Sequence, residues 1–216
     1  MAATSAAPRF AARALACRRG ERLVFRELEF ALGAAGALVL TGPNGSGKSS
    51  LLRVLAGLTP PVAGELTWEG RSIAEDPAQH RARLRFIGHL DAVKPALTLR
   101  EWLAFWAGLA GAERAAVGAA LARFRLEGRA ELPCRVLSAG QRRRLSLARL
   151  LLRPAPLWLL DEPATGLDDD SMADLLALIA EHRAAGGMVV LSTHQPLALP
   201  GAAALALERF APRRAP

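Results

Sequence analysis

Apolar and polar residues alternate along residues 13–32, and the pair Gly20-Glu21 interrupts the alternation. This pattern predicts two antiparallel strands joined by a turn. Residues 65–68 and 71–73 repeat the pattern on either side of Glu69-Gly70, which predicts a second hairpin. An antiparallel β region is therefore expected in the first third of the sequence.

Short apolar runs without alternation are typical of strands that are buried on both faces of a parallel sheet. They occupy residues 37–40, 84–88, 157–160 and 188–191. A helix predicted around Met172, Leu175, Leu176 and Ile179 separates the last two runs, and Gly186-Gly187 closes it. This strand–helix–strand spacing implies right-handed crossovers, so the sequence predicts an α/β fold with a mostly parallel sheet.

The apolar period lengthens from residue 99 onwards, where two Leu and two Trp recur at the i, i+3, i+4 and i+7 spacing of an amphipathic helix. These four residues are Leu99, Trp102, Leu103 and Trp106. They predict a helix over residues 99–110, and residues 114–125 continue helically. Residues 91–153 are therefore predicted to form a helical block between strand-rich segments.

Residues 42–49 read Gly-Pro-Asn-Gly-Ser-Gly-Lys-Ser, a complete phosphate-binding loop of the pattern G-x-x-x-x-G-K-[ST]. The loop lies between a predicted strand and the helix-like residues 50–56, so helix N-terminal amides would face it. Lys48 can reach the β- and γ-phosphates, and the Ser49 hydroxyl can ligate Mg²⁺. The candidate ATP-binding residues here are Gly42, Pro43, Asn44, Gly45, Ser46, Gly47, Lys48, Ser49 and Ser50. The sequence therefore predicts a chain that binds a nucleoside triphosphate.

Two acids, Asp161 and Glu162, follow a buried strand run directly. Asp161 is predicted to hold Mg²⁺, and Glu162 to polarise a water that attacks the γ-phosphate. His194 follows the next strand run, and the carboxyl ends of parallel strands meet at one edge of the sheet. We therefore expect His194 beside Glu162, where it can contact the γ-phosphate. Glu162 and His194 are the candidate catalytic residues.

The segment Leu137-Ser138-Ala139-Gly140-Gln141 precedes a stretch with helical periodicity over residues 142–152, and Ser138 is a good N-cap. By itself it predicts only a capped helix whose N-terminus favours an anion. The Arg142-Arg143-Arg144 run that follows is interpreted as a solvated helix face rather than a nucleic-acid grip.

Composition narrows the class of protein. At 51% apolar residues the 216-residue chain can bury a large core, whereas residues 1–12 and 211–216 are expected to fray. No apolar stretch reaches the roughly 18–20 residues of a bilayer span, and residues 1–17 do not resemble a signal peptide. The net charge of +8 fits a nucleic acid, an anionic membrane face, an acidic partner or a compositional bias toward Arg. Cys17 and Cys134 lack metal-ligand spacing, which predicts free thiols.

The order of these motifs resembles the ATP-binding-cassette (ABC) ATPase family, over essentially all of residues 1–216. The motifs are Gly-Pro-Asn-Gly-Ser-Gly-Lys-Ser, Leu-Ser-Ala-Gly-Gln, Leu-Trp-Leu-Leu-Asp-Glu-Pro, Gly-Leu-Asp and Ser-Thr-His. The resemblance implies a phosphate-loop core with an antiparallel β-subdomain over residues 13–90. It also implies a helical subdomain over 91–153, and further core over 154–207.

The family resemblance also implies that two copies face each other head to tail around ATP and Mg²⁺. The residues Ser138, Gly140 and Gln141 of one copy would close over ATP held by the other. Asp168, in the segment after Glu162, would join this composite site. A capped helix in one chain would thus become half of a nucleotide site.

A closer resemblance is to the ATPase subunits of haem exporters in cytochrome c maturation. It rests on Ile-Gly-His at residues 87–89, on the neighbourhood of Leu137, and on Ser-Thr-His-Gln-Pro-Leu from residue 192. His89 occupies the place of the usual Q-loop glutamine, where it is a candidate to ligate Mg²⁺ or position water. Arg19 occupies the place of the aromatic residue that stacks on adenine, and the chain contains no Tyr.

This resemblance implies a separate membrane permease and associated cytochrome c maturation proteins as partners, at the cytoplasmic face of a bacterial inner membrane. The aromatic stripe of Trp102, Phe105 and Trp106 lies where such a permease would dock. No Cys-x-x-Cys-His motif occurs, so direct haem binding is not expected. ATP hydrolysis would power haem delivery or release of a haem-loaded chaperone.

Three alternative functions stay open at this point. Another ABC transporter with a different cargo would share the main motifs. A soluble ABC ATPase that acts on nucleic acid usually fuses two cassettes or inserts a long coiled coil, and this sequence has neither, so no nucleic-acid partner is expected. A small-molecule kinase has no use for Leu-Ser-Ala-Gly-Gln or for the segment that follows Glu162.

Overall fold

A computed structural model describes residues 8–194 and 197–212. The described residues fold into two compact units. The first comprises those within Met1–Phe86, Pro156–Glu162 and Ala180–Pro216, and the second comprises Ile87–Ala155 and Pro163–Ile179. No helix among these residues is long and apolar enough to cross a membrane.

The strands of the described residues are β1 (Phe10–Arg19), β2 (Arg22–Leu32), β3 (Ala37–Thr41), β4 (Ala63–Trp68), β5 (Arg71–Ser72), β6 (Leu84–Ile87), β7 (Leu157–Asp161), β8 (Met188–Ser192) and β9 (Ala203–Ala206). The helices are α1 (Lys48–Leu55), α2 (Pro77–Ala82), α3 (Leu99–Ala110), α4 (Arg114–Arg123), α5 (Ala139–Ala148) and α6 (Asp169–Ala184). Short 3₁₀ turns occupy Glu127–Arg129, Cys134–Val136, Arg149–Leu151 and Leu207–Phe210.

Both predicted hairpins are present in an antiparallel sheet of order β2-β1-β4-β5. The prediction that residues 1–12 fray is wrong for Phe10, Ala11 and Ala12, which form the first residues of β1. Phe10 is fully buried and pairs with Leu32 on one side and Trp68 on the other. Burial of the ring between two neighbouring strands outweighs the small, polar composition around it. Residues 1–7 and 213–216 lie outside the described residues.

A second sheet has the order β6-β7-β8-β3-β9, and β3 pairs in parallel with both β8 and β9. The predicted parallel sheet is thus confirmed. In the β7–β8 pair Asp161 lies opposite Ser192, which brings the ends of both strands to one edge. No sequence pattern predicted β9, because its residues, Ala-Ala-Leu-Ala, favour a helix over a strand. Pairing with β3 overrides that propensity.

The second unit contains the predicted helix α3, which spans residues 99–110 as expected. Thr98 and Glu101 form a reciprocal capping box at its N-terminus. Leu99, Trp102 and Leu103 are buried, whereas Phe105 of the aromatic stripe is 56% exposed. The apolar stripe therefore serves mainly as helix core.

The helix after Ser138 is α5, which the sequence predicted over residues 142–152. It begins at Ala139 and ends at Ala148, where a 3₁₀ turn replaces it. The interpretation of the Arg142-Arg143-Arg144 run as a solvated face is wrong for Arg143, which is only 3% exposed. Cys17 and Cys134 are free thiols, as predicted, and burial raises the pKa of each.

Candidate nucleotide-binding and catalytic site

The phosphate loop connects β3 to α1 in the first unit and depends on glycine at its last turn. Gly47 precedes α1 with a φ of 106°, a conformation that favours glycine. A Cβ at this position would lie 2.4 Å from Cγ1 of Val24 in β2. The loop therefore packs so closely under the first hairpin that no side chain fits at Gly47.

Lys48 is the first residue of α1 and is 6% exposed. Its Nζ donates to the carbonyl oxygens of Gly42, at 2.7 Å, and Pro43, at 3.2 Å. These acceptors are neutral, so the ammonium charge stays available to an anion. Ser46 Oγ is buried and has no hydrogen-bond partner among the described residues. A buried hydroxyl and a buried ammonium around one loop fit the oxygen atoms of a phosphate group.

Ser49 and Ser50 occupy the first turn of α1, Ser49 exposed and Ser50 half-buried. The same helix packs against β7, which ends at Asp161, and against β8, which ends two residues before His194. Hydroxyl and carboxylate oxygens are the ligands that Mg²⁺ prefers. The Ser49 hydroxyl and the Asp161 carboxylate are thus chemically suitable ligands for Mg²⁺.

Asp161 ends β7, is 3% exposed, and accepts a hydrogen bond from Ser192 Oγ at 2.6 Å. The same Ser192 Oγ accepts a hydrogen bond from the backbone N–H of Glu162 at 2.9 Å. Glu162 has a φ of 50°, which is rare outside glycine, and Ser192 holds it there. One hydroxyl therefore fixes both acidic residues.

His194 and Glu162 meet as the sequence predicted. Nδ1 of His194 lies 3.0 Å from Oε1 of Glu162, and their side chains are 45% and 14% exposed. A carboxylate oxygen is an acceptor, so an N–H on Nδ1 of His194 suits this contact. The side chains of Glu162 and His194 are therefore in contact at the edge of the parallel sheet.

Ser192 was missed as a functional residue by sequence reasoning. A serine at the end of a buried strand gives no chemical signal by itself. Its register opposite Asp161 would have been the only indication, and register is not readable from a single sequence. The structure therefore adds the residue that joins the two acids.

The remaining predicted residues, Ser138, Gly140, Gln141, Asp168 and His89, belong to the second unit. Ser138 is the N-cap of α5, and its side chain and that of Gln141 form a reciprocal capping box. Asp168 Oδ1 accepts a hydrogen bond from the Ser171 backbone N–H at 2.9 Å. Hydrogen bonds from the side chain and backbone of Ser171 lower the pKa of Asp168. His89 is exposed and lies in the loop after β6.

Arg19 ends β1 beside a cavity of about 360 Å³ that borders the first turn of α1. The lining residues are Cys17, Arg18, Arg19, Ser49, Ser50, Arg53 and Thr59. Guanidinium and hydroxyl groups thus surround this cavity, and its lining contains no aromatic ring. The position that the sequence assigned to base recognition is therefore adjacent to the phosphate loop.

Residues 25–165 match the family model described as ABC transporter. The chain belongs to the ABC transporter ATP-binding family. It binds ATP, and ATP hydrolysis coupled to transport is the activity of this family. Membership removes the small-molecule kinase from the alternatives.

Curated ABC relatives align with almost the whole chain. The proteins of Rhodospirillum rubrum and Paramagnetospirillum magneticum are each 60% identical over 94% of this chain, and cover 87% and 95% of their own lengths. A Brucella abortus protein is 47% identical over 90% of this chain and 89% of its own length. All three are named cytochrome c biogenesis ATP-binding export protein CcmA.

Solved structures of ABC proteins support the fold. A Pyrococcus furiosus protein described as an ABC transporter ATP-binding protein superposes with a TM-score of 0.82 at 23% identity, over 94% of this chain and 99% of its own. An ATP-binding subunit of an ABC transporter gives a TM-score of 0.77 at 28% identity, over 86% of this chain and 79% of its own. The α/β phosphate-loop fold predicted from the sequence is therefore confirmed.

Proposed function

We propose that this chain is the ATP-hydrolysing subunit of a haem exporter in cytochrome c biogenesis. The observation that carries the proposal is the 60% identity over 94% of the chain to two proteins named for export in cytochrome c biogenesis. The sequence had associated the regions of His89 and Ser138 with this subfamily. An ABC subunit for another cargo is the alternative.

In the proposed mechanism, backbone amides of the phosphate loop and Lys48 hold the β- and γ-phosphates of ATP. Ser49 and Asp161 would hold Mg²⁺, which neutralises charge that develops on the phosphate oxygens when it is bound. Glu162 accepts a proton from the attacking water. His194 orients Glu162 through Nδ1 and presents Nε2 to the γ-phosphate. Ser192 keeps Asp161 and Glu162 in place.

The proposed mechanism requires a second copy of the chain. Ser138, Gly140 and Gln141 of one copy, at a helix N-terminus, would close over ATP held by the phosphate loop of its partner. Asp168 of each copy would lie at the interface. Ser138, Gly140 and Gln141 belong to the second unit, whereas Asp161 and Glu162 belong to the first.

A membrane permease completes the proposed assembly, and the chain would lie at the cytoplasmic face of the inner membrane. The exposed Phe105 and its neighbours on α3 offer an apolar contact for that permease. The permease and its associated maturation proteins would handle haem itself.

The function is tested in cells whose own copy of the gene is deleted. Wild-type protein is expected to restore mature c-type cytochromes, whereas Glu162→Gln is expected to restore less than a tenth of them, because its ATP stays unhydrolysed. The variant should accumulate normally and co-purify with the permease. Glu29→Gln, at an exposed position in β2, is the matched control and should restore them fully. Normal c-type cytochromes with Glu162→Gln would contradict the haem-exporter assignment and leave only the ATPase.

Base recognition gives a second prediction at Arg19. A planar guanidinium can stack on a purine, whereas an ammonium of the same charge cannot. Arg19→Lys is therefore expected to raise the Kd for ATP about three- to tenfold, and to leave inhibition by inorganic triphosphate unchanged. Calorimetric titration measures the first and competition the second. Arg26→Lys in β2 is the control, and an ATP Kd within 1.5-fold of wild type for Arg19→Lys would remove Arg19 from base recognition.

A further inference from the structure

Arg143 is a buried cation in the second unit, five residues after the N-cap Ser138. Its side chain is only 4% exposed. A guanidinium removed from water is costly unless its charge and its N–H groups find partners. The contacts that satisfy Arg143 therefore reveal what its position requires.

The guanidinium donates to at least three acceptors among the described residues. Nε donates to the carbonyl oxygen of Pro163 at 3.2 Å. Nη1 donates to the carbonyl oxygen of Gly88 and to Oδ1 of Asp91, each at 3.0 Å. Asp91 supplies the countercharge, and its own side chain is 23% exposed. The rigid fork of an arginine can donate to these acceptors at once from two nitrogen atoms, whereas a lysine has only one.

The acceptors bracket two functional segments. Gly88 and Asp91 flank His89, the candidate Mg²⁺ or water ligand. Pro163 directly follows Glu162, the candidate general base, and opens the segment that ends at Asp168. A single side chain on α5 thus holds the His89 loop and the first residue after the catalytic acid.

Gly140 makes a second attachment one turn earlier on α5. A Cβ at Gly140 would lie 2.6 Å from the carbonyl oxygen of Gly166. Positions 140 and 143 are three residues apart, so they share one face of the helix. That face meets residues 163–168 at two points, through close backbone packing at Gly166 and hydrogen bonding at Pro163.

We propose that Arg143 is a positioning residue that makes helix α5, residues 88–91 and residues 163–168 move as one body. The inference rests on the proposed function, because it assigns the coupling to ATP hydrolysis. When Ser138 closes over the nucleotide held by a partner copy, His89 and the residue after Glu162 would then be positioned at the same time. Arg143 touches no reacting atom itself and acts through the backbone that it holds.

Arg143→Lys tests the proposal, because lysine keeps the charge opposite Asp91 but loses the fork. We expect kcat for ATP hydrolysis to fall about tenfold or more. The Kd for ATP, measured with Glu162→Gln also present, should stay within twofold of the Glu162→Gln protein. Hydrogen exchange should quicken in both residues 88–91 and residues 163–168, and should be unchanged in α1. A merely structural role would lower the melting temperature without this joint pattern.

Asp91→Asn is the second variant, and it tests the proposal even if Arg143→Lys fails to fold. It leaves the arginine in place, removes its countercharge, and is expected to give the same pattern. The double variant should be no slower than the slower single one, because both act on one contact. Arg153→Lys is the matched control, since Arg153 Nη1 also donates to a carbonyl, that of Ala110, at 3.0 Å.

A kcat within twofold of wild type in the folded variants overturns the proposal. Unchanged exchange in either segment overturns it as well. The exchange measurement does not depend on turnover. Wild-type protein that hydrolyses no ATP therefore counts against the proposed function, whereas unaltered exchange in Arg143→Lys counts against the coupling.

Discussion

Replacing Glu162 with glutamine is expected to lower the turnover of ATP hydrolysis by a hundredfold or more. Removal of a positioned general base typically costs a factor of about 10²–10⁴ in rate. Glutamine keeps the shape of the side chain, and the backbone N–H of residue 162 can still donate to Ser192 Oγ. The substitution therefore removes the base and leaves the positive φ and the neighbouring Asp161 in place.

Phosphate release measures the effect of Glu162→Gln on ATP hydrolysis, and equilibrium binding measures its effect on ATP affinity. The variant should bind ATP at least as tightly as wild type, and should form a stable dimer with ATP because hydrolysis no longer opens it. The exposed Glu29→Gln should hydrolyse ATP at the wild-type rate. A Glu162→Gln rate within fivefold of wild type would assign the general base to another residue.

Gly47→Ala is expected to raise the Kd for ATP by roughly tenfold or more. The residue has a φ of 106°, and its Cβ would meet Val24 Cγ1 at 2.4 Å. Since L-residues other than glycine pay about 1–2 kcal/mol for left-handed backbone, and the close contact adds to that, the loop or β2 must shift. About 1.4 kcal/mol lost from binding is a tenfold change in Kd.

Two glycines with similar backbone angles serve as comparisons for Gly47→Ala. Gly70 has a φ of 79°, lies in the β4–β5 turn and has no atom within 4 Å of an added Cβ. Gly70→Ala should lower stability slightly and leave ATP affinity unchanged. Gly45 in the loop itself has a φ of 80° and open space, so Gly45→Ala measures the backbone cost alone. If Gly47→Ala binds ATP as tightly as wild type, close packing under the hairpin does not shape the loop.

Local periodicity was sufficient for most of the elements. The spacing of Leu99, Trp102, Leu103 and Trp106 predicted a helix whose observed bounds are those of α3. Alternation and turn residues predicted both hairpins in the same way. In each case the pattern repeats within one element, so no distant residue had to be known.

Contacts between distant segments were not predictable in this way. Strand β9 was missed because pairing with β3 overrides an alanine-rich sequence. The burial of Phe10 in β1 depends on Leu32 and Trp68, which lie far along the chain. The sequence pattern favoured a solvated position for Arg143. Its partners Gly88, Asp91 and Pro163 become neighbours only on folding, so its burial was not predictable.

The sequence by itself determined the α/β class, the phosphate loop, the acids after β7 and the family resemblance, because each is written in consecutive residues. The tertiary structure alone decided that Ser192 joins Asp161 to Glu162, and that Arg143 is buried between two loops. Strand register and helix packing set these distances, and both depend on the free energy of the whole folded core rather than on any local pattern.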